Sequence, residues 1–179
     1  MISRDSTILI VIDFQDKLFQ VMQDKENLLA NAAKVIKGAK VFDMPIIVTE
    51  QSPEKLGQTL PALSRELNGS ATIGKENFSS WKDNKFREKL ESINCRSAVI
   101  MGIECHVCVY QTAVDLIDNG YSVHVIADAV SSRSKENKDI GLAAMKSAGA
   151  HLTSTEMVLF ELVRSAGDAK FKDIHKIVK

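Results

Sequence analysis

The chain is poor in the residues that mark several structural classes. Three prolines and nine glycines among 179 residues are too few for a disordered or collagen-like polymer. No apolar run is long enough to span a bilayer, and the run at residues 8–12 is too short for the core of a signal peptide. Cysteine is scarce and odd in number, at Cys95, Cys105 and Cys108, which points to free thiols in a reducing compartment. An excess of one charge is missing too. The 23 basic and 23 acidic residues cancel, which argues against a general nucleic-acid footprint. These absences together set the expectation of a cytoplasmic protein with no membrane and no nucleic-acid partner.

What is present reads as one domain over residues 1–179, a size at which a single core buries most of its apolar surface. Short apolar runs alternate with helical periodicity. Residues 7–13 read as a strand covered on both faces, because Ile8 through Ile12 are all apolar. A helix is expected at 26–42, with Leu28, Leu29, Ala32, Val35, Ile36 and Ala39 on one face. A strand follows at 45–49, a loop at 51–57, a short strand at 71–73, and a polar helix at 83–94 with Asp83 as cap. The second half repeats the rhythm: strand 97–102, helix 106–119, strand 121–127, helix 136–148, strand 150–153, and two closing helices at 156–163 and 170–178. This alternation predicts an α/β fold, a three-layer parallel sheet with helices on both faces. In such sheets ligands bind beyond the carboxyl ends of the strands, where the strand order reverses.

Three residues in that zone carry chemistry. Asp13 ends the first strand, at the rim of the core, a position suited to a general base. Cys108 follows the fourth strand, in what reads as the first turn of a helix. There the helix dipole and free N–H groups favour a thiolate and can hold an oxyanion. Lys75 lies in the segment Gly74-Lys75-Glu76-Asn77-Phe78-Ser79. Position alone leaves each a plainer role: a capping aspartate, a buried structural cysteine, a surface lysine. The Cys105-x-x-Cys108 spacing also admits a redox pair or half a zinc site, but no second cysteine pair or histidine cluster completes one. His124, His151 and His175 carry no distinct signal. Phe14, Phe19, Phe78 and Trp81 read as core or pocket wall.

Four segments in order resemble the isochorismatase-like cysteine hydrolase superfamily over nearly the whole chain. They are Val11-Ile12-Asp13-Phe14-Gln15, Gly74 through Ser79, Gly102-Ile103-Glu104 through Ala113, and Ile126-Ala127-Asp128-Ala129-Val130-Ser131-Ser132-Arg133. Thr49-Glu50-Gln51-Ser52-Pro53 with Leu56-Gly57 looks most like the isochorismatase domain-containing branch. The resemblance implies strand order 3-2-1-4-5-6, a catalytic triad of Asp13, Lys75 and Cys108, and a cis peptide between Ile103 and Glu104. It further implies an oxyanion hole from the backbone N–H groups of Glu104 and Cys108, and a substrate pocket touching Phe19, Gln51 and Trp81.

The reaction implied is cleavage of a C–N bond in a small amide or carbamoyl compound through a Cys108 thioester. Asp13 takes the thiol proton, while Lys75 stabilises the anions and lowers the Cys108 pKa. The nicotinamidase branch binds a metal through histidines near the second strand. Residues 49–53 contain none, so no metal and no other cofactor is expected. Two other readings stay open: a vinyl ether hydrolase using Asp13 without a covalent step, and a non-catalytic interaction protein. A homo-oligomer is expected from the resemblance, and from apolar residues around Tyr110, Leu116, Ile117 and Tyr121 and around Met157, Leu159, Phe160 and Leu162.

Overall fold

The computed structural model describes residues 2–179. Six strands are present: β1 (Thr7–Ile12), β2 (Ile46–Gln51), β3 (Ala71–Lys75), β4 (Ser97–Ile103), β5 (Ser122–Ser131) and β6 (His151–Thr153). They form one parallel sheet in the order β3-β2-β1-β4-β5-β6. All six residues of β1 are buried, as the continuous apolar run requires of a strand covered on both faces.

Alternation along the strands divides the core in two. Leu9, Val11, Ile46, Val48, Val99 and Met101 face α2 (Lys25–Val41), α8 (Thr155–Val163) and α9 (Phe171–Val178). Ile8, Ile10, Ile12, Ile47, Ala98 and Ile100 face α5 (Asn84–Glu91), α6 (Tyr110–Asp118) and α7 (Lys135–Ser147). Asp83 caps α5, its carboxylate accepting from the N–H groups of Lys85 and Phe86. Three single helical turns, α1 (Asp16–Phe19), α3 (Pro53–Leu56) and α4 (Pro61–Ser64), occupy stretches too short to show periodicity; α3 lies inside the segment expected to be a loop. Among the described residues no helix is long and apolar enough to cross a membrane.

The strand order reverses between β1 and β4, so the crevice lies where Asp13 leaves β1 and the Cys108 segment leaves β4. Gly102 makes that junction possible. It pairs with Ile12, has φ +147, and a Cβ there would lie 2.3 Å from the Ile12 carbonyl oxygen. Any side chain would therefore push apart the two strands that present Asp13 and Cys108.

Part of the apolar surface assigned to assembly is covered within the chain. Leu116, Leu159 and Leu162 are buried in the two cores. Met157, 60% exposed, stays at the surface, as does Ile140 on α7 at 64%.

Candidate active site

Asp13 follows the last residue of β1 and adopts φ +55, a left-handed conformation that aspartate tolerates better than most residues. Its N–H donates to the Thr49 carbonyl at 3.1 Å. The carboxylate is fully buried and both oxygens are occupied: Oδ1 accepts from the Thr49 hydroxyl at 2.7 Å, and Oδ2 faces Lys75 Nζ at 2.8 Å.

Lys75 is the last residue of β3, and its side chain is wholly buried. Besides Asp13, its ammonium donates to Gln51 Oε1 at 2.8 Å and to the carbonyls of Asn77 and Phe78, both at 3.1 Å. A lysine with a carboxylate and three neutral oxygens around it is not the surface lysine that its position in the sequence allowed. Gln51 is oriented in turn, donating through Nε2 to the Glu76 carbonyl at 2.8 Å. Gln15 ties this corner down: its Nε2 donates to the carbonyls of Gln51 and Gly57, and its Oε1 accepts from the Gln51 N–H at 2.7 Å.

Cys108 lies 6% exposed within a π-helical turn, Cys105–Val109, that precedes α6. This corrects the expected first turn of an ordinary α-helix; π-turns of this kind recur at functional sites. Gly141 of α7 lets the turn pack closely, since a Cβ there would lie 2.9 Å from His106 Cα. The Asp13 carboxylate, Lys75 and the Glu104 N–H all lie close enough to the Cys108 thiol to act on its charge. The peptide between Ile103 and Glu104 is cis. The expected lowering of the thiol pKa does not hold. Burial, then the Asp13 charge, push it up to about 12, outweighing Lys75 and the Glu104 N–H. Cys108 therefore rests as a thiol, close to the Asp13 carboxylate.

Asp13, Lys75 and Cys108, 62 and 33 residues apart in turn, thus meet at one point. Gln51 touches it through Lys75. Phe19 closes α1 just beyond Asp13 and packs, half-buried, on the α2 side of the sheet. Trp81 packs on the Cys108 side of the sheet. Its ring meets Tyr121 edge-on at 6.0 Å between centroids, where the chain enters the amino end of β5. Thr49 and Gln15 were absent from the sequence-derived site; each follows an apolar residue and carries no chemical signature of its own. Glu104 presents its backbone to Cys108 while its carboxylate is held by Arg133 Nε at 3.0 Å. Cys105 turns the other way, its thiol reaching the Lys138 carbonyl at 3.6 Å, so the two cysteines face different neighbours. Among the described residues no cluster of three His, Cys, Asp or Glu side chains is arranged to hold a metal.

Residues 7–157 match the family described as Isochorismatase domain. Isochorismatase domain-containing protein 2 of Xenopus laevis is 40% identical over 174 residues, covering 97% of this chain and 83% of that protein. A solved structure described as MAR1 ribonuclease from Caenorhabditis elegans superposes with a TM-score of 0.94 at 34% identity, covering 99% of this chain and 91% of that one. The Escherichia coli YcaC product, described as an octameric hydrolase of unknown specificity, shares the fold with a TM-score of 0.89 at 22% identity, covering 99% and 94%. With its sheet order, its buried Asp–Lys pair and a family match across most of its length, the chain belongs to the isochorismatase family of hydrolases.

Proposed function

We propose that the protein is a cysteine amidohydrolase that cleaves the C–N bond of a small amide or carbamoyl compound through a thioester on Cys108. The observation that carries this reading is a buried carboxylate, fixed by a buried lysine, that lies close enough to the Cys108 thiol to act on its charge. A carboxylate within reach of the thiol proton is what a nucleophile with a raised pKa needs. As sulfur bonds to the substrate carbonyl carbon, the proton passes to Asp13. The developing oxyanion is met by the N–H groups of Glu104 and Cys108, with Lys75 supplying positive charge. Asp13 then gives the proton to the leaving amine as the C–N bond breaks. Water, deprotonated by Asp13, attacks the thioester, and the acid leaves as the thiol is restored.

A vinyl ether hydrolase would use Asp13 alone, and a scaffold would need none of the three groups. The thiol–carboxylate contact favours acyl chemistry over both. The near-complete enclosure of the triad suits a small substrate rather than a polymer. Three free cysteines support a cytoplasmic setting. The test is ammonia release from a panel of small amides, ureas and carbamoyl compounds, with a vinyl ether and an RNA oligonucleotide alongside. A member of the amide group should be turned over by the native protein and not by Cys108→Ala. Turnover surviving in that variant would remove the covalent step, and cleavage of the RNA alone would replace the reading.

The octameric E. coli relative and the exposed Met157 and Ile140 support assembly of this chain with itself. Light scattering at micromolar concentration should give at least twice the 19.7 kDa chain mass. A mass of one chain would refute assembly and leave the chemistry untouched.

A further inference from the structure

A second polar site lies on the other side of the sheet from Cys108. Alternation along β2 turns Glu50 away from Thr49 and Gln51, which serve the triad, and towards the face of Val48. Glu50 is only 8% exposed. Its Oε1 accepts two hydrogen bonds, from the N–H and the hydroxyl of Thr59, each at 2.7 Å. Its Oε2 has no protein partner, is not sealed from solvent, and opens on a cavity of about 590 Å³. Among the described residues no cationic side chain lies within ion-pair distance of it. A carboxylate withdrawn this far from water without a counter-charge is costly to the folded chain, and a bound cation offsets that cost.

The rest of the lining says which cation. Asn68, Ser70 and Thr72 contribute side chains with no intramolecular hydrogen bond, while Val48 and Leu67 form an apolar wall. A divalent metal takes six or more oxygens, usually with several carboxylates, and Glu50 is the one acidic residue lining this cavity. An ammonium has three N–H donors, which one carboxylate oxygen and two neutral oxygens satisfy, and an apolar wall takes a short hydrocarbon body. We propose that this cavity binds a small organic cation, a primary ammonium on a short apolar body, with Glu50 as its counter-ion. The claim is independent of the hydrolase chemistry, because the sheet separates the cavity from Cys108.

The test is calorimetric titration of the full chain with n-butylammonium chloride, with n-butanol and sodium chloride as controls. Saturable binding in the millimolar range is expected for the ammonium and for neither control. Glu50→Gln, which keeps an acceptor for Thr59, should weaken it at least about tenfold. Thr72→Phe, a substitution at an exposed strand position, narrows the cavity without touching Glu50 and should weaken binding as well. Absence of saturable binding, equal binding of n-butanol, or native affinity in Glu50→Gln would each overturn the site. Iodoacetamide labelling of Cys108 should proceed at the same rate with the ammonium present; protection of Cys108 would place the cation at the triad instead and also overturn the proposal.

Discussion

Lys75→Met is expected to lower stability by about 3–5 kcal/mol, the range for removing one partner of a buried ion pair. Methionine fills much the same volume, so the loss is electrostatic rather than a cavity. The Asp13 carboxylate would keep the hydrogen bond from the Thr49 hydroxyl and no counter-charge. Gln51 Oε1 and the carbonyls of Asn77 and Phe78 would lose their shared donor as well. An orphaned buried acceptor such as Gln51 Oε1 costs on the order of 1–3 kcal/mol before relaxation, and the part-buried carbonyls less. Urea denaturation measures the total. The double variant with Asp13→Asn should be less destabilised than the sum of the two single ones, because the neutral amide removes the unpaired charge that Lys75→Met creates. A Lys75→Met protein within about 1 kcal/mol of the native one would mean that the pair is solvated in solution and does not hold the site together.

The sheet was legible because its strands are buried on both faces. Continuous apolar runs such as Ile8–Ile12 have few other stable fates in a chain that alternates with helical periodicity. The strand ends were harder to read. β2 runs on to Gln51 and β3 to Lys75, two residues further in each case than apolar character suggests, because Glu50 pairs with Gly74 and Gln51 with Lys75. The polar residues at these strand ends line the candidate site, so hydrophobic patterning stops just short of it. β5 likewise continues to Ser131 through Asp128, whose carboxylate accepts from the Thr155 N–H and hydroxyl.

The candidate site divides along the same line. Asp13 and Cys108 stand out as reactive residues immediately after strands. Lys75 is unremarkable in the sequence, and only the resemblance singled it out; its role becomes visible when four oxygens are found around its ammonium. Thr49, Gln15 and the π-turn left no mark, since a hydroxyl, an amide and one extra residue in a helical turn have no periodic signature. Trp81, whose type suggested a pocket wall, meets Tyr121 edge-on on the Cys108 side of the sheet.

Asp13→Asn should separate two properties of Cys108 that usually move together. Turnover is expected to fall by about 10²–10⁴, the range for loss of a general acid–base, because no other group is placed to receive the thiol proton. Alkylation of the free enzyme by iodoacetamide should instead become faster. In the native protein burial and the Asp13 charge hold the thiol at about 12. At pH 9 that leaves roughly one thiolate per thousand thiols, at a factor of ten per unit. The asparagine removes the negative charge, while Lys75 and the Glu104 N–H continue to favour the thiolate. Lys75 keeps its hydrogen bonds to Gln51 Oε1 and the Asn77 and Phe78 carbonyls in the variant. The thiol pKa therefore falls, and the sign of the effect follows. The labelling rate of the native protein should still be climbing at pH 10, whereas that of the variant should level off at lower pH. Mass spectrometry of Cys108 after brief labelling, with Cys95 as internal reference, gives both profiles. Slower labelling of the variant at every pH would show that Asp13 activates the thiol by its charge or by proton removal in the free enzyme, contrary to a nucleophile that stays protonated until substrate arrives.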